Sequence, residues 1–224
     1  MSGAWLNIDA GELEKEPEEI YRLAHHVNVA CGGHAGDEES MTRAVLLCKA
    51  HGTALGAHPS YPDRAGFGRK RVEMDEAALR AVIAGQCGAL ASVAERAGGH
   101  VRAAKLHGAL YHAGEHARAA VLGIVDALGP EVMLIGPASG PFFDVAREVG
   151  LRYAVEGFAD RGVREDGSLV PRGQPGALVL DPEMARARAR ELARSVDTVC
   201  VHGDTPNAVA IARAVREELD AQAG

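Results

Sequence analysis

Short apolar runs recur along the chain near residues 4–9, 27–31, 53–57, 101–106, 131–135, 152–156 and 198–202. Most are continuous rather than alternating, the pattern of parallel strands covered on both faces. Helical patterns separate them, with start and stop signals where helices need them. Asp37 and Asp75 stand before Glu-Glu-Ser-Met and Glu-Ala-Ala-Leu, so each carboxylate can accept a first-turn N–H. Pro141, Pro182 and Pro206 suit first-turn positions, with Thr205 as the cap before the last. Gly129 and Gly150 suit helix ends that require positive φ.

Six of these runs lead into a residue able to move a proton or bind a metal: Asp9, His34, His58, His107, Glu156 and His202. An open doubly wound sheet gathers its chemistry at one switch point, whereas a barrel collects it from many strand ends. The pattern therefore predicts a single domain over 1–224, a distorted TIM-like (β/α) barrel of about seven parallel strands. Two connections exceed what a barrel loop requires. Residues 59–73 follow the third run, and residues 157–180 follow the sixth. The second contains Asp166-Gly167, a tight-hairpin dipeptide, between Val163-Arg164 and Leu169-Val170. Both begin at the end of a strand that carries chemistry, which makes them candidate lids or binding loops.

Bulk properties narrow the partners. A formal charge of −7 over 224 residues argues against a nucleic-acid surface. The apolar runs fall short of the ~20 residues of a membrane span, and the N-terminal residues show no basic-then-apolar leader. A cytoplasmic location is the expectation. Cys31, Cys48, Cys87 and Cys200 form no C-x-x-C pair and read as small buried hydrophobes. The arginines of 182–194, interleaved with alanine, read as the solvated face of an outer helix.

The strand ends differ in what they offer. Asp9 and Glu12 can ligate a metal or accept a proton. Gly32-Gly33-His34-Ala35-Gly36-Asp37 is a glycine-rich turn opening a helix, able to hold an anion or to serve only as a tight turn. Lys105, two residues before His107 on an inward-pointing strand, is costly to bury unless paired, which favours anion contact or oxyanion stabilisation. His202 and Asp204 have no capping explanation, unlike Thr205 and Pro206. His25, His26, His51, His100, His112 and His116 lie in helical or loop patterns and read as surface residues. Neither a phosphate-binding P-loop motif nor a G-x-S-x-G nucleophile elbow occurs in the sequence.

Taken in order, several motifs closely resemble the LamB/YcsF family, the A subunits of ATP-dependent 5-oxoprolinase. They are Leu6-Asn7-Ile8-Asp9-Ala10-Gly11-Glu12, Asn28 through Asp37, Gly56-Ala57-His58-Pro59-Ser60-Tyr61-Pro62-Asp63 with Gly66-Phe67-Gly68-Arg69, and Lys105-Leu106-His107-Gly108. Glu156 through Arg161, Leu169-Val170-Pro171-Arg172 and Val201-His202-Gly203-Asp204-Thr205-Pro206 complete the series. There are departures. Ile8, Gly33 and Leu106 stand where the family has cysteine, phenylalanine and proline, and the stretch between Glu12 and Val27 is shorter than usual.

The resemblance implies opening of the 5-oxoproline lactam to L-glutamate, coupled to hydrolysis of ATP with Mg²⁺ and carried out with B and C partner subunits. On that reading Asp9 or Glu156 is the general base, His107 and His202 transfer protons, and Lys105 stabilises developing negative charge. Arg161, Arg172 or the 32–37 turn would hold a carboxylate or phosphate. Asn7, Glu12, His34, Asp37, His58, Tyr61 and Asp204 complete the expected binding set. Two other readings compete. One is a stand-alone deacetylase or amidohydrolase with a divalent metal on Asp9, His34 and His58. The other is a non-catalytic subunit that only presents substrate to its partners.

Overall fold

The computed structural model describes residues 3–164 and 168–223. Its seven strands are β1 (Trp5–Ala10), β2 (His26–Ala30), β3 (Ala54–His58), β4 (Val101–Lys105), β5 (Met133–Gly136), β6 (Arg152–Phe158) and β7 (Thr198–His202). All neighbouring pairs are parallel, and the order follows the sequence. Pairing of Trp5 with Thr198 through Asp9 with His202 joins β1 to β7 and closes the barrel, which rules out the open sheet. Around it lie α1 (Glu19–Leu23), α2 (Glu38–His51), α3 (Glu76–Arg96), α4 (Ala117–Leu128), α5 (Pro141–Glu148), α6 (Pro182–Leu192) and α7 (Ala208–Ala223).

Strand alternation divides the residues into two cores. Leu6, Ile8 and Ala10 of β1, with Val27 and Val29 of β2, belong to the large apolar shell packed under the helices. Their neighbours in sequence fill the barrel. Near its base Ala103, Ile135 and Ala154 pack with Trp5 and Met133. Above this plug the interior turns polar: Asn7 Nδ2 donates to Thr198 Oγ1 at 2.8 Å, and Asn28 Nδ2 donates to Asn7 Oδ1 at 2.9 Å. This layer carries the next one, which holds Asp9, Lys105 and Glu156; its Asn28 Oδ1 has no hydrogen-bond partner among the described residues.

Asp37 caps α2 reciprocally with Ser40, and Asp75 caps α3 through Ala78 N. Pro141 and Pro182 occupy first-turn positions. The C-terminal helix departs from expectation. It starts at Ala208, after Asn207 at φ +67°, and Thr205 is no cap because its hydroxyl donates to Asp160. Two histidines expected on the surface are buried. His26 lies inside the barrel against Trp5, and His116 Nδ1 shares a hydrogen bond with the Tyr61 hydroxyl at 2.6 Å. α3 also exceeds expectation, being long and apolar enough by length and composition to cross a membrane. Its Leu79, Ile83, Cys87, Leu90 and Val93 are instead buried in the shell.

Both long connections fold over the C-terminal mouth. In the first, Gly68 O accepts from Ala109 N at 2.9 Å, a contact so close that a Cβ on Gly108 would lie 2.3 Å from that oxygen. The second forms antiparallel bridges between Arg161 and Leu178 and between Val163 and Leu169. The Asp166-Gly167 dipeptide expected to turn this hairpin lies outside the described residues.

Candidate active site at the barrel mouth

Lys105 is 2% exposed, and its environment explains how the fold tolerates it. Nζ lies 3.0 Å from Asp9 Oδ1, 2.8 Å from Glu156 Oε1 and 2.9 Å from Cys200 Sγ. Burial works against the ammonium, but Asp9, Cys200 and Glu156 outweigh it and hold the pKa well above that of free lysine. Asp9 shows the converse balance. Burial pushes its pKa up, while His58 and Lys105 pull it well below the usual carboxylate range. With Asn28 Nδ2 also donating to Asp9 Oδ1 at 2.9 Å, this carboxylate is an electrostatic anchor rather than a ready proton acceptor. Glu156 differs. Its Oε1 is ion-paired with Lys105 Nζ, and neither oxygen accepts an aligned hydrogen bond among the described residues.

Beside this pair sits a cluster of three histidines around Glu12, whose side chain is 1% exposed. His34 Nε2 is 2.9 Å from Glu12 Oε1, His107 Nδ1 is 3.3 Å from it, and His58 Nε2 is 3.7 Å from it. The backbone fixes two of the rings. His58 Nδ1 faces Lys105 O at 2.8 Å, and His107 Nε2 faces Phe67 O at 2.9 Å. Both atoms must therefore carry hydrogen, which turns His58 Nε2 and His107 Nδ1 inward, 3.0 Å apart. Burial pushes the His34 pKa down to about 4 and lowers that of His107. His58 is raised because Asp9 and Glu12 overcome its burial.

On the opposite side, Asp160 orients His202. Its carboxylate accepts from His202 N at 3.0 Å, from His202 Nδ1 at 3.0 Å and from Thr205 Oγ1 at 2.6 Å. Burial raises the Asp160 pKa, but His202 and Thr205 reverse the effect and hold it low. The Nδ1–H tautomer follows, so Nε2 is left facing the cavity, 3.8 Å from Asp9 Oδ2. Phe158 stacks on the ring at 5.6 Å. A buried carboxylate that fixes an imidazole in this way is a common arrangement for general acid–base work.

Asp9, His58, Lys105, His107 and His202 floor a cavity of about 430 Å³ with Arg69, Arg161 and Arg172 at its rim, while Glu156 lines the adjoining cavity. Arg69 pairs with Asp204 Oδ2, and Arg172 donates to both Asp204 oxygens at 3.1 Å. Arg161 is held by the carbonyls of Ala177 and Val170. Three guanidiniums against one carboxylate leave the rim net positive, suited to an anionic ligand.

The structure thus gathers Asp9, Glu12, His34, His58, Lys105, His107, Glu156, His202, Arg161, Arg172 and Asp204 at one mouth. Asn7 lies one layer deeper, on Thr198 and Asn28. Asp37 caps α2 through Ser40, and Arg64 donates to the carbonyls of Gly32 and Gly36 beside it. Tyr61 is buried and points to His116. His34 and His58 cluster with Glu12 and His107 rather than with Asp9 alone. Sequence reasoning did not single out Asp160, Phe158 or Cys200. Asp160 had a signal, a carboxylate four residues after a reactive strand end, but its partner is distant in sequence.

The LamB/YcsF family model matches residues 6–224. Among curated proteins, the 5-oxoprolinase A subunit of Chloroflexus aggregans is 41% identical, covering 96% of this chain and 94% of its own length. The protein of the same name from Methylococcus capsulatus is 41% identical over 97% of this chain and 92% of its own. The crystal structure of a lactam utilization protein from Thermus thermophilus superposes with a TM-score of 0.89 at 36% identity, covering 98% and 97% of the two chains. A family 4 carbohydrate esterase from Streptomyces lividans aligns with a TM-score of 0.51 at 11% identity over 99% of this chain and 90% of its own, a likeness of fold alone. With the family model spanning nearly the whole chain and relatives of this similarity, the chain belongs to the LamB/YcsF family.

Proposed function

We propose that this chain is the A subunit of an ATP-dependent 5-oxoprolinase, a hydrolase that opens the lactam of 5-oxo-L-proline to L-glutamate. The observation that carries the reading is the joining of the buried Lys105–Asp9 pair, backed by Glu156, to a net-positive rim across one small cavity. Its volume of about 430 Å³ falls in the range of small-molecule sites. The names of the full-length relatives supply the substrate.

On this reading Arg172, with the charge of Arg161 and Arg69 behind it, holds the substrate carboxylate. Lys105 places fixed positive charge beneath the lactam oxygen, where negative charge builds as water adds to the carbonyl carbon. Glu156, ion-paired with Lys105 and lining the adjoining cavity, is the acceptor of the proton from water on this reading. The carbon–oxygen bond forms, the ring carbon–nitrogen bond breaks, and the proton taken from water is relayed through the His202 Nε2 lone pair to the departing nitrogen. ATP with Mg²⁺ would supply activation: transfer of the γ-phosphoryl group to the lactam oxygen leaves ADP, ring opening by water then gives an acyl phosphate, and a second water releases inorganic phosphate and L-glutamate. The net-positive rim fits a phosphate as well as a carboxylate, and the sequence carries no P-loop motif of its own. Both facts fit a division of the ATP chemistry with B and C subunits. The buried free cysteines fit a reducing, cytoplasmic location.

The test is ATP hydrolysis and glutamate formation by the chain reconstituted with candidate B and C subunits, with Asp9→Asn and Lys105→Ala variants in parallel. Coupled turnover that needs this chain and collapses in both variants is expected. Near-wild-type rates in the variants, or binding of 5-oxoproline with no contribution to turnover, would sink the catalytic assignment.

A further inference from the structure

The backbone contacts of His58 and His107 create a problem that the lactam chemistry does not use. With hydrogen fixed on His58 Nδ1 by Lys105 O and on His107 Nε2 by Phe67 O, the remaining nitrogens are lone pairs in the neutral rings. They face each other at 3.0 Å, with the Glu12 carboxylate 3.3 Å from one and 3.7 Å from the other. Lone pairs and a carboxylate converging among buried side chains repel unless a cation lies among them. A proton on His58 Nε2 relieves only part of this. It serves the 3.0 Å contact to His107, while Glu12 at 3.7 Å and Asp9 at 3.4 Å stay beyond good hydrogen-bond reach of the same nitrogen.

The spacing matches a different occupant. Tetrahedral coordination with bonds of about 2.0–2.1 Å places neighbouring ligand atoms about 3.3 Å apart. The separations here are 2.9 Å for Glu12–His34, 3.0 Å for His58–His107, 3.3 Å for Glu12–His107 and 3.7 Å for Glu12–His58. All four ligand atoms lie within 4.8 Å of one another. The carbonyls that fix the two histidines are the kind of outer contact that orients metal-bound imidazoles. Charge points the same way. Buried Asp9, Glu12 and Glu156 stand against the single ammonium of Lys105, a deficit of two positive charges when the histidines are neutral.

We propose that Glu12, His34, His58 and His107 form a binding site for a divalent transition-metal ion at the mouth of the barrel. Imidazole with one carboxylate suits zinc or another borderline ion over magnesium or calcium, which prefer all-oxygen shells. His58 and His107 also line the cavity, so the bound ion borders the space offered to substrate. Asp9 stays outside the set, because Lys105 and Asn28 already hold its carboxylate.

The test reads metal content, not turnover. Protein made without an affinity tag or chelator is loaded with zinc sulfate, freed of excess by gel filtration and analysed by mass spectrometry, with isothermal titration of zinc into stripped protein. One zinc per chain is expected. At least a tenfold loss of affinity is expected in Glu12→Gln, and retention should be lost in a His58→Gln/His107→Gln variant whose folding is checked by circular dichroism. Sub-stoichiometric zinc in the wild type, or full retention in the double variant, overturns the proposal. So does loss of zinc in Cys200→Ser with retention in the double variant, which would move the ion to Asp9, Cys200 and His202. Stoichiometry is independent of lactam opening: zinc without turnover sinks the lactam reading alone, and turnover without zinc sinks this one alone.

Discussion

Asp160 and His202 meet twice, once through the backbone N–H at 3.0 Å and once through ring Nδ1 at 3.0 Å. They come from the loop after β6 and the end of β7, adjacent strands in the barrel, so the contact forms when β6 and β7 pair. Its effect is on the far side of the ring, where Nε2 is presented to the cavity in one tautomer and one orientation.

His202→Gln is therefore expected to reduce kcat of the reconstituted enzyme by about 10²–10⁴-fold, the range of a lost general acid–base group. Asp160→Asn keeps the shape but supplies an amide N–H or C=O in place of a carboxylate, and its kcat should fall with a shifted acid limb in the pH–rate profile. Thr205→Val removes one hydrogen bond to Asp160 and should cost about 1 kcal/mol of stability while leaving kcat nearly intact. Steady-state kinetics with denaturant unfolding separate the three. An unshifted pH profile in Asp160→Asn would reduce Asp160 to a structural contact.

Lys105 and Asp9 are a buried ion pair, so removing one charge strands the other. Lys105→Met should destabilise the protein by about 3–5 kcal/mol, and Asp9→Asn by a similar amount. The double variant should recover much of that loss, because neither charge is then left alone, yet remain inactive. Urea unfolding of the four proteins completes the cycle. Additive losses in the double variant would mean that the two residues do not act as a pair.

The barrel was readable because each strand is a continuous apolar run and each reactive tip follows one. Those signals are local, and all seven strands lie within a few residues of their predicted limits. What escaped was decided by partners distant in sequence. His26 reads like any loop histidine, but β2 begins one residue earlier than the apolar run and turns that ring against Trp5 inside the barrel. Thr205-Pro206 has the look of a helix start, yet Asp160 captures the hydroxyl and α7 begins at Ala208. Gly33 replaces the bulky residue expected by resemblance, and Gln86 and Ser60 close over it so tightly that a Cβ would come within 2.4 Å of both. Asp9, Lys105 and His58 were visible as polar tips, but their protonation rests on mutual distances that no single sequence fixes.

At the rim, Asp204 already occupies Arg69 and Arg172, so an incoming carboxylate competes with it. Arg172→Ala should raise KM for 5-oxoproline about tenfold, a loss of about 1.4 kcal/mol of binding, with a smaller effect on kcat. Asp204→Asn should lower KM by releasing both guanidiniums. Initial-rate kinetics at saturating ATP decide this. An unchanged KM in Arg172→Ala would place the substrate carboxylate elsewhere.

The polar layer below the site makes stability depend on pH. Burial holds His26 neutral and pushes its pKa down to about 4, against 6.5 for free histidine. Between these values the unfolded chain binds a proton that the folded barrel refuses, so the contribution is full above pH 6.5 and is lost as pH falls towards 4. The loss over that window is about 3 kcal/mol. His34 adds a loss in the same direction and range, and the lowered carboxylates of Asp9 and Asp160 add theirs at lower pH. His26→Gln removes one titration and leaves the others, so its stability difference from wild type isolates this residue. The variant should be the less stable at pH 7, because its side chain must fit beside Gly56, where even a Cβ would come within 2.2 Å of the His26 ring. Its deficit should shrink by about 3 kcal/mol on acidification to pH 4, as the wild type loses what the variant never had. Urea unfolding of both proteins at half-unit pH steps measures it, and a constant difference across the window would mean that His26 takes up its proton inside the folded barrel.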